Sequence, residues 1–320
     1  MGSVPLKVGF VDIVPEVEPF VRRWLPRLVD YEVLTPERLE VERPDLLFYG
    51  DNRARRHRRF LDCTRVCVTF ENLYPDFSEA DYVMAYIHLE HPRYLRMPDW
   101  AIIHRPEQFI KDRGYADRIL NEARDFCAFV ASNGNPRRTR RRLEFFPRLS
   151  GYKKVNSGGR VMNNVGGCVE DHQAFARRHR FYMAFENAAC PGYTTEKIAD
   201  GMVNGCVPIY WGDPLVGQDF NPGSFINVGD FASDEEVIRH VARIDQDPDL
   251  YRGYLVEPFF HGNKPPDLFD EERVLGFFRR MLEDPRPRRK LFALRPGLFK
   301  MRRRMQPYLD SVFGTNSGAR

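Results

Sequence analysis

The sequence has no run of about 18 apolar residues, the length that a membrane-crossing helix needs. Its first residues, MGSVPLKVGFVDIVPEV, carry neither the basic start nor the apolar core of a secretory signal. Cysteine is sparse and scattered: there are six in 320 residues, with Cys63 and Cys67 the one close pair. No second pair or histidine cluster completes a zinc site, so reduced structural thiols and a cytoplasmic enzyme are the expectation. No Gly-x-Gly-x-x-Gly follows the first strand-like run, which argues against the usual dinucleotide site in the first half. Internal repeats and long low-complexity stretches are also missing.

What is present reads as a folded α/β chain. At 42% hydrophobic and 29% charged, the composition is that of a globular protein long enough for two domains. Short apolar runs at Leu6–Val11, Tyr31–Leu34, Leu46–Tyr49 and Val66–Phe70 alternate with helix-spaced residues such as Val17, Phe20, Val21, Leu25 and Leu28. That rhythm predicts βαβ units and a parallel sheet. The stretch Asp117 to Ala123 is the expected crossing, and Phe126 to Ser132 opens a second set of strands. Ser233-Asp234-Glu235-Glu236 predicts a capping box before a helix with Val237, Val241 and Ile244 on one face.

Charge is uneven along the chain. Nine Lys and Arg and no acid lie between Arg286 and Arg304, and removing them takes the formal charge from +4 to −5. Phe292, Leu294, Leu298, Phe299, Met301 and Met305 are interleaved with them. Two readings stay open: an amphipathic segment peripheral on an anionic inner-membrane surface, or a solvated helix packed on the body. Nucleic acid is not an expected partner, because no aromatic stacking platform accompanies the basic runs.

Residues 181–214, FYMAFENAACPGYTTEKIADGMVNGCVPIYWGDP, carry the densest chemistry. Phe181 to Phe185 is a short apolar run of the kind buried in parallel sheets. Pro191-Gly192 breaks it, Thr194 or Thr195 can cap a helix running to about Asn204, and Gly205 stops that helix before the strand Cys206 to Trp211. The loop at such a strand's carboxyl end lies where doubly wound folds bind ligands. A helix N-terminus there offers free N–H groups to a phosphate, and Lys197 adds a full charge.

FYMAFEN (181–187), GYTTEK (192–197), VPIYWGDP (207–214) and DFNPGSFINVGDF (219–231) together closely resemble the donor-binding motif of the α-1,3/4-fucosyltransferases, glycosyltransferase family 10, of bacterial type. The resemblance implies a GT-B architecture, two Rossmann-like domains facing across a cleft. It implies an acceptor-side domain over 1–120, a GDP-sugar domain over 121–284 and a basic tail over 285–320. It also implies a donor, GDP-fucose, and an oligosaccharide acceptor containing GlcNAc, as on Lewis-antigen glycans of lipopolysaccharide or protein. Asn187, Tyr193, Glu196 and Lys197 are the implied donor contacts, and Glu186 either joins them or orders the loop.

The similarity resumes at TFENLYPDF (69–77), Asp81-Tyr82 and RYLRMP (93–98). Glu71 falls where the family carries its proposed general base. It follows an apolar run, so a strand end with partial burial is expected. A positioned carboxylate that takes the acceptor proton typically gives about 10²–10⁴-fold; His88 and Glu90 are the substitutes. A family arginine that binds pyrophosphate, usually three residues before the first Phe of LEFF, picks Arg142 from the run Arg137, Arg138, Arg140, Arg141 and Arg142. Arg138 and Arg141 stay open, because the run is longer than usual. The loop at Asn156-Ser157-Gly158-Gly159 resembles the family's VDSGGR, with Asn156 replacing Asp, and Ser157 and Gly158 are expected to border the nucleotide. The implied reaction is inverting, by single displacement. No Asp-x-Asp follows a strand, so no metal cofactor is required, although Mn or Mg can still assist release of GDP. A GT-B transferase using another nucleotide sugar, such as GDP-mannose, is the alternative; Phe185, Tyr210 or Trp211 would supply the apolar niche that the fucose methyl needs.

Overall fold

The computed structural model describes residues 4–50 and 55–284, so the basic tail lies outside the described residues. The described residues form two compact units, one of 4–103 together with 267–284 and the other His104–Pro266.

In the first unit a parallel sheet comprises β1 (Leu6–Val11), β2 (Tyr31–Val33), β3 (Leu46–Gly50), β4 (Thr64–Val68), β5 (Tyr82–Ala85) and β6 (Tyr94–Arg96), in the order β2-β1-β3-β4-β5-β6. Strand β3 reads LLFYG and is buried throughout, as a strand covered on both faces must be. Helices α1 (Val17–Trp24), α2 (Pro36–Val41) and α3 (Asp99–Ile103) follow as the alternation predicts. In α1, Val17, Phe20, Val21 and Trp24 are buried, the one-sided face that the helical spacing requires.

The second unit holds α4 (Tyr115–Leu120), α5 (Pro136–Tyr152), α6 (His172–Arg177), α7 (Glu196–Val203), α8 (Asp234–Gln246) and α9 (Pro248–Val256) around a second parallel sheet. Its strands are β7 (Asp125–Phe129), β8 (Val155–Ser157), β9 (His179–Phe185), β10 (Val207–Trp211) and β11 (Ile226–Asn227), in the order β11-β10-β9-β7-β8. From β7 the chain moves outward to β8, then returns to lay β9 on the other side of β7. The loops after β7 and β9 therefore diverge at a topological switch point, where open parallel sheets make their ligand crevice.

One face of this sheet packs Phe145 and Leu149 of α5, Val237, Val241 and Ile244 of α8, and Tyr251 and Leu255 of α9 against Phe181, Met183 and Phe185. On α7, Ile198, Ala199 and Met202 are buried. Gly201 lets that helix approach closely: a Cβ there would stand 3.1 Å from Tyr182 and 3.2 Å from Pro208. Ser233 caps α8 by accepting the Glu236 N–H at 3.3 Å, while Glu236 reaches back to the Ala232 N–H.

The expected domain boundaries shift. Helix α4 packs on α9 in the second unit, so the chain crosses near 103 and not near 120. The last described helix, α10 (Glu271–Glu283), belongs to the first unit and not to the donor domain. Its buried Phe278 ring meets Phe48 at 6.4 Å, and Phe277 stands edge-on to Tyr82 at 5.6 Å. Apolar faces decide both changes: an amphipathic helix goes where its stripe is covered, whatever its position in the chain.

Gly159 is where the paired glycines earn their place. A Cβ at Gly159 would lie 2.3 Å from the Ala131 carbonyl oxygen and 2.5 Å from its nitrogen, both rigid backbone atoms. Gly151, in the last turn of α5, has nothing within 4 Å of that position. Gly159→Ala is expected to destabilise the protein by about 1–3 kcal/mol, whereas Gly151→Ala leaves stability unchanged or raises it by up to about 1 kcal/mol. Urea or thermal unfolding of the two variants checks this, and equal stabilities would contradict it.

Candidate active site

The loop from β9 to α7 is organised by Glu186, the first residue beyond the strand. Its side chain has no exposed surface and sits between polar partners from the start of α7. It accepts the Thr195 N–H at 2.7 Å and the Thr195 hydroxyl at 2.7 Å, and its Oε2 lies 3.2 Å from Lys197 Nζ. Burial pushes the Glu186 carboxyl above the usual carboxylate range, while Lys197 and Thr195 pull it back. Thr195 stands at the N-cap of α7 as the sequence allows, but its hydroxyl serves Glu186 and caps no helical N–H. Lys197 also donates to Thr195 Oγ1 at 2.6 Å and to Glu196 Oε1 at 3.1 Å. A full positive charge is thus fixed on the first turn of α7.

A second cation arrives from α5. Arg142 is 2% exposed, and its Nη2 donates to Asn187 Oδ1. Its Nε is buried with no hydrogen-bond partner among the described residues. Burial draws the guanidinium below the ordinary arginine range; Glu186, Tyr193 and Glu196 oppose that shift. Arg142 follows β7 and Asn187 follows β9, so the switch point itself brings them together.

Arg140 and Arg141 of the same run have partners elsewhere. Arg141 pairs with Asp234 on α8 and lies over the Phe145 ring at 5.5 Å. Arg140 pairs with Glu144 one turn along at 2.6 Å. Arg138 is exposed, ahead of a break at Thr139, whose φ of −124° and ψ of 20° leave the helical region. Ser157 is fully buried and donates to the Val161 carbonyl at 2.6 Å, and the Gly158 N–H donates to the Phe129 carbonyl at 3.0 Å, so both hold the loop after β8. Asn156 places its amide 3.0 Å from the His179 ring nitrogen.

Glu71, His88 and Glu90 all belong to the first unit and all are exposed. The partial burial expected of Glu71 is not found, because β4 ends at Val68 and Glu71 lies beyond it in a turn, with its N–H donating to Thr69 Oγ1 at 3.3 Å. The aromatic niche also changes. Phe185 and Tyr210 are buried in the second unit, with Phe145 4.8 Å from Phe185, and Trp211 alone of the three is partly exposed.

One buried residue of this loop system was not singled out from sequence. Asp213 is buried and accepts from the Gly192 N–H, the Leu215 N–H and the Thr194 hydroxyl. An acid directly after Trp211-Gly212 was the available signal, but Gly192 and Thr194 lie 21 and 19 positions upstream and are joined to it only by the fold. Taken together, two cations, a helix N-terminus, two carboxylates and an amide can bind a diphosphate and neighbouring hydroxyls.

Comparison with known proteins agrees with this geometry. A model of the glycosyltransferase family 10 (fucosyltransferase) C-terminal region matches residues 120–256, and a model of the alpha-(1,3)-fucosyltransferase FucT N-terminal domain matches residues 8–103. The chain is 31% identical over 272 residues to the alpha-(1,3)-fucosyltransferase FucT of Helicobacter pylori, covering 72% of this chain and 55% of that relative. It therefore spans little more than half of that protein's length. It is also similar to the crystal structure of an alpha1,3-fucosyltransferase, with a TM-score of 0.70 and 28% identity over 88% of this chain and 91% of the other. The same comparison with an alpha1,3-fucosyltransferase crystallised with GDP-fucose gives a TM-score of 0.67 at 27% identity, over 89% and 94%. With two parallel-sheet domains of the GT-B type and both halves matched, this chain belongs to glycosyltransferase family 10, the fucosyltransferases.

Proposed function

We propose that the protein transfers L-fucose from GDP-fucose to a hydroxyl of a GlcNAc-containing glycan, with inversion and in a single displacement. The observation that carries this reading is Arg142. A buried guanidinium with an unsatisfied N–H is costly unless an anion completes its contacts. It lies beside Asn187, at a switch point whose other loop leads to Lys197 on α7. A diphosphate fits that pairing of charges.

In this mechanism the acceptor hydroxyl loses its proton to Glu71, and its oxygen bonds to the anomeric carbon. The bond from that carbon to the phosphate oxygen breaks on the opposite side, and GDP leaves with the electron pair. Negative charge grows on the β-phosphate as positive charge grows on the sugar ring. Arg142, Lys197, Tyr193 and the α7 N-terminus stabilise the leaving group; fixed charges act most strongly when they need not reorganise. Asn187 and Glu196 take ribose or fucose hydroxyls. Glu186 serves indirectly, by fixing Thr195 and Lys197.

Product mass with GDP-fucose and N-acetyllactosamine tests the reaction: one added deoxyhexose is expected, and GDP-mannose is expected to compete poorly. Absence of both transfer and GDP-fucose binding would refute the reading.

Glu71→Ala is expected to lower kcat by about 10²–10⁴-fold with little change in donor KM. Near wild-type turnover would move the base to His88 or Glu90.

Arg142→Lys keeps the charge but loses the planar fork, and Lys197→Ala removes a charge outright. Each is expected to lower kcat/KM for the donor by about 10²–10³-fold. Steady-state kinetics at varied GDP-fucose measures both, and a loss confined to the acceptor KM would contradict the assignment.

A further inference from the structure

Tyr193, Glu196 and Lys197 can meet a ligand in one arrangement only if the loop between β9 and α7 keeps one shape. Glu186 fixes the loop's far end at Thr195. Its middle is fixed by a second buried carboxylate that belongs to neither the loop nor the helix. Asp213, just past β10, is 2% exposed. Its Oδ1 accepts the Gly192 N–H at 2.7 Å and the Leu215 N–H at 2.7 Å, and its Oδ2 accepts the Thr194 hydroxyl at 2.9 Å. The Asp213 N–H in turn donates to the Tyr210 hydroxyl at 2.9 Å, which lies 3.4 Å from the Thr194 hydroxyl. Gly192 has φ of 80°, a conformation that other residues resist, so this turn needs outside support to persist.

We propose that, granted the GDP-sugar reading, Asp213 is a positioning residue for the donor: it clamps Gly192 and Thr194 and so sets Tyr193 between them. All three partners donate to it, and two of them are backbone N–H groups that cannot accept, so the carboxylate form suits the clamp best. A proton on Asp213 falls on Oδ2, because the N–H groups at Oδ1 cannot accept it; it displaces the hydrogen that the Thr194 hydroxyl donates there and weakens that arm of the clamp.

Burial, with Asp219 close by, pushes the Asp213 carboxyl up to about 6. The other ionisable groups facing this cluster are Tyr210 from β10 and, across that hydroxyl, Glu186 from the end of β9. The sign of the effect follows from linkage. Because the folded value lies above the ordinary 3.8, the folded chain takes this proton more readily than the unfolded one. Acid between those two values therefore loosens the loop without this group itself unfolding the protein.

The test combines amide hydrogen exchange with GDP titration calorimetry on wild type, Asp213→Asn and Thr194→Val, well above and well below about pH 6. Asp213→Asn keeps the size but replaces one charged acceptor oxygen with an NH2. It is expected to speed exchange at Gly192 after correction for intrinsic rates and to weaken GDP binding by about tenfold. The donor KM should rise further than the acceptor KM. Thr194→Val, which removes one arm, should shift GDP binding in the same direction by less. Wild type should lose Gly192 protection and GDP affinity on acidification, and Asp213→Asn should show a flatter pH profile. Wild-type Gly192 protection in Asp213→Asn, or lost protection with unchanged GDP affinity, would overturn the proposal. Wild-type protein that binds no GDP at any pH would instead overturn the donor reading, and the exchange data alone would then decide whether Asp213 holds the loop.

Discussion

A carboxylate with no exposed surface must find every partner inside the protein, and Glu186 finds its partners in the first residues of α7. That requirement ties the end of β9 to the start of the next helix. The strand is itself held between β7 and β10, so the loop it launches begins from a rigid base. Thr195 cannot turn its hydroxyl to cap the helix, because Glu186 holds it. Lys197 cannot swing freely, because Glu186 and Glu196 both attract it. A desolvated charge is expensive, and here the cost is offset by order imposed on the groups a phosphate would meet.

The parallel sheet supplies the rest. Helices must cross between parallel strands, so each strand end opens a loop on the same rim. At the switch point, the loop after β7 leads to Arg142 and the loop after β9 begins with Glu186 and Asn187. Charges remote in sequence meet there without any long-range element being built to carry them. Family membership and this geometry agree, and they do so independently: one rests on residue patterns, the other on strand order.

Much of this could be read from the residues. The apolar run at Phe181, the breaker at Gly192 and the stop at Gly205 placed the strand and helix to within about two residues, because period and punctuation are local properties. The family resemblance pointed to Arg142 with Arg138 and Arg141 left open, and among these three Arg142 is the one buried beside Asn187. Other features depended on contacts that no local pattern encodes. Helix α10 has an unremarkable amphipathic pattern, and nothing in it says that its stripe covers the sheet of the first unit. Glu71 follows an apolar run that ends early, so exposure replaced the expected burial. Asp213 stood inside a quoted motif with no role of its own, because Gly192 and Thr194 are brought to it only by the fold.

The neighbouring arginines of α5 divide their labour by angle. Successive helical residues point about 100° apart, so Arg141 reaches Asp234 on α8 while Arg142 reaches Asn187 beside β9. These positions look like spare copies of one another, yet they are not interchangeable. A one-residue insertion or deletion between the kink at Thr139 and Arg142 would rotate the wrong side chain toward each partner. The frame of the run, more than its number of charges, is what delivers each guanidinium to its partner.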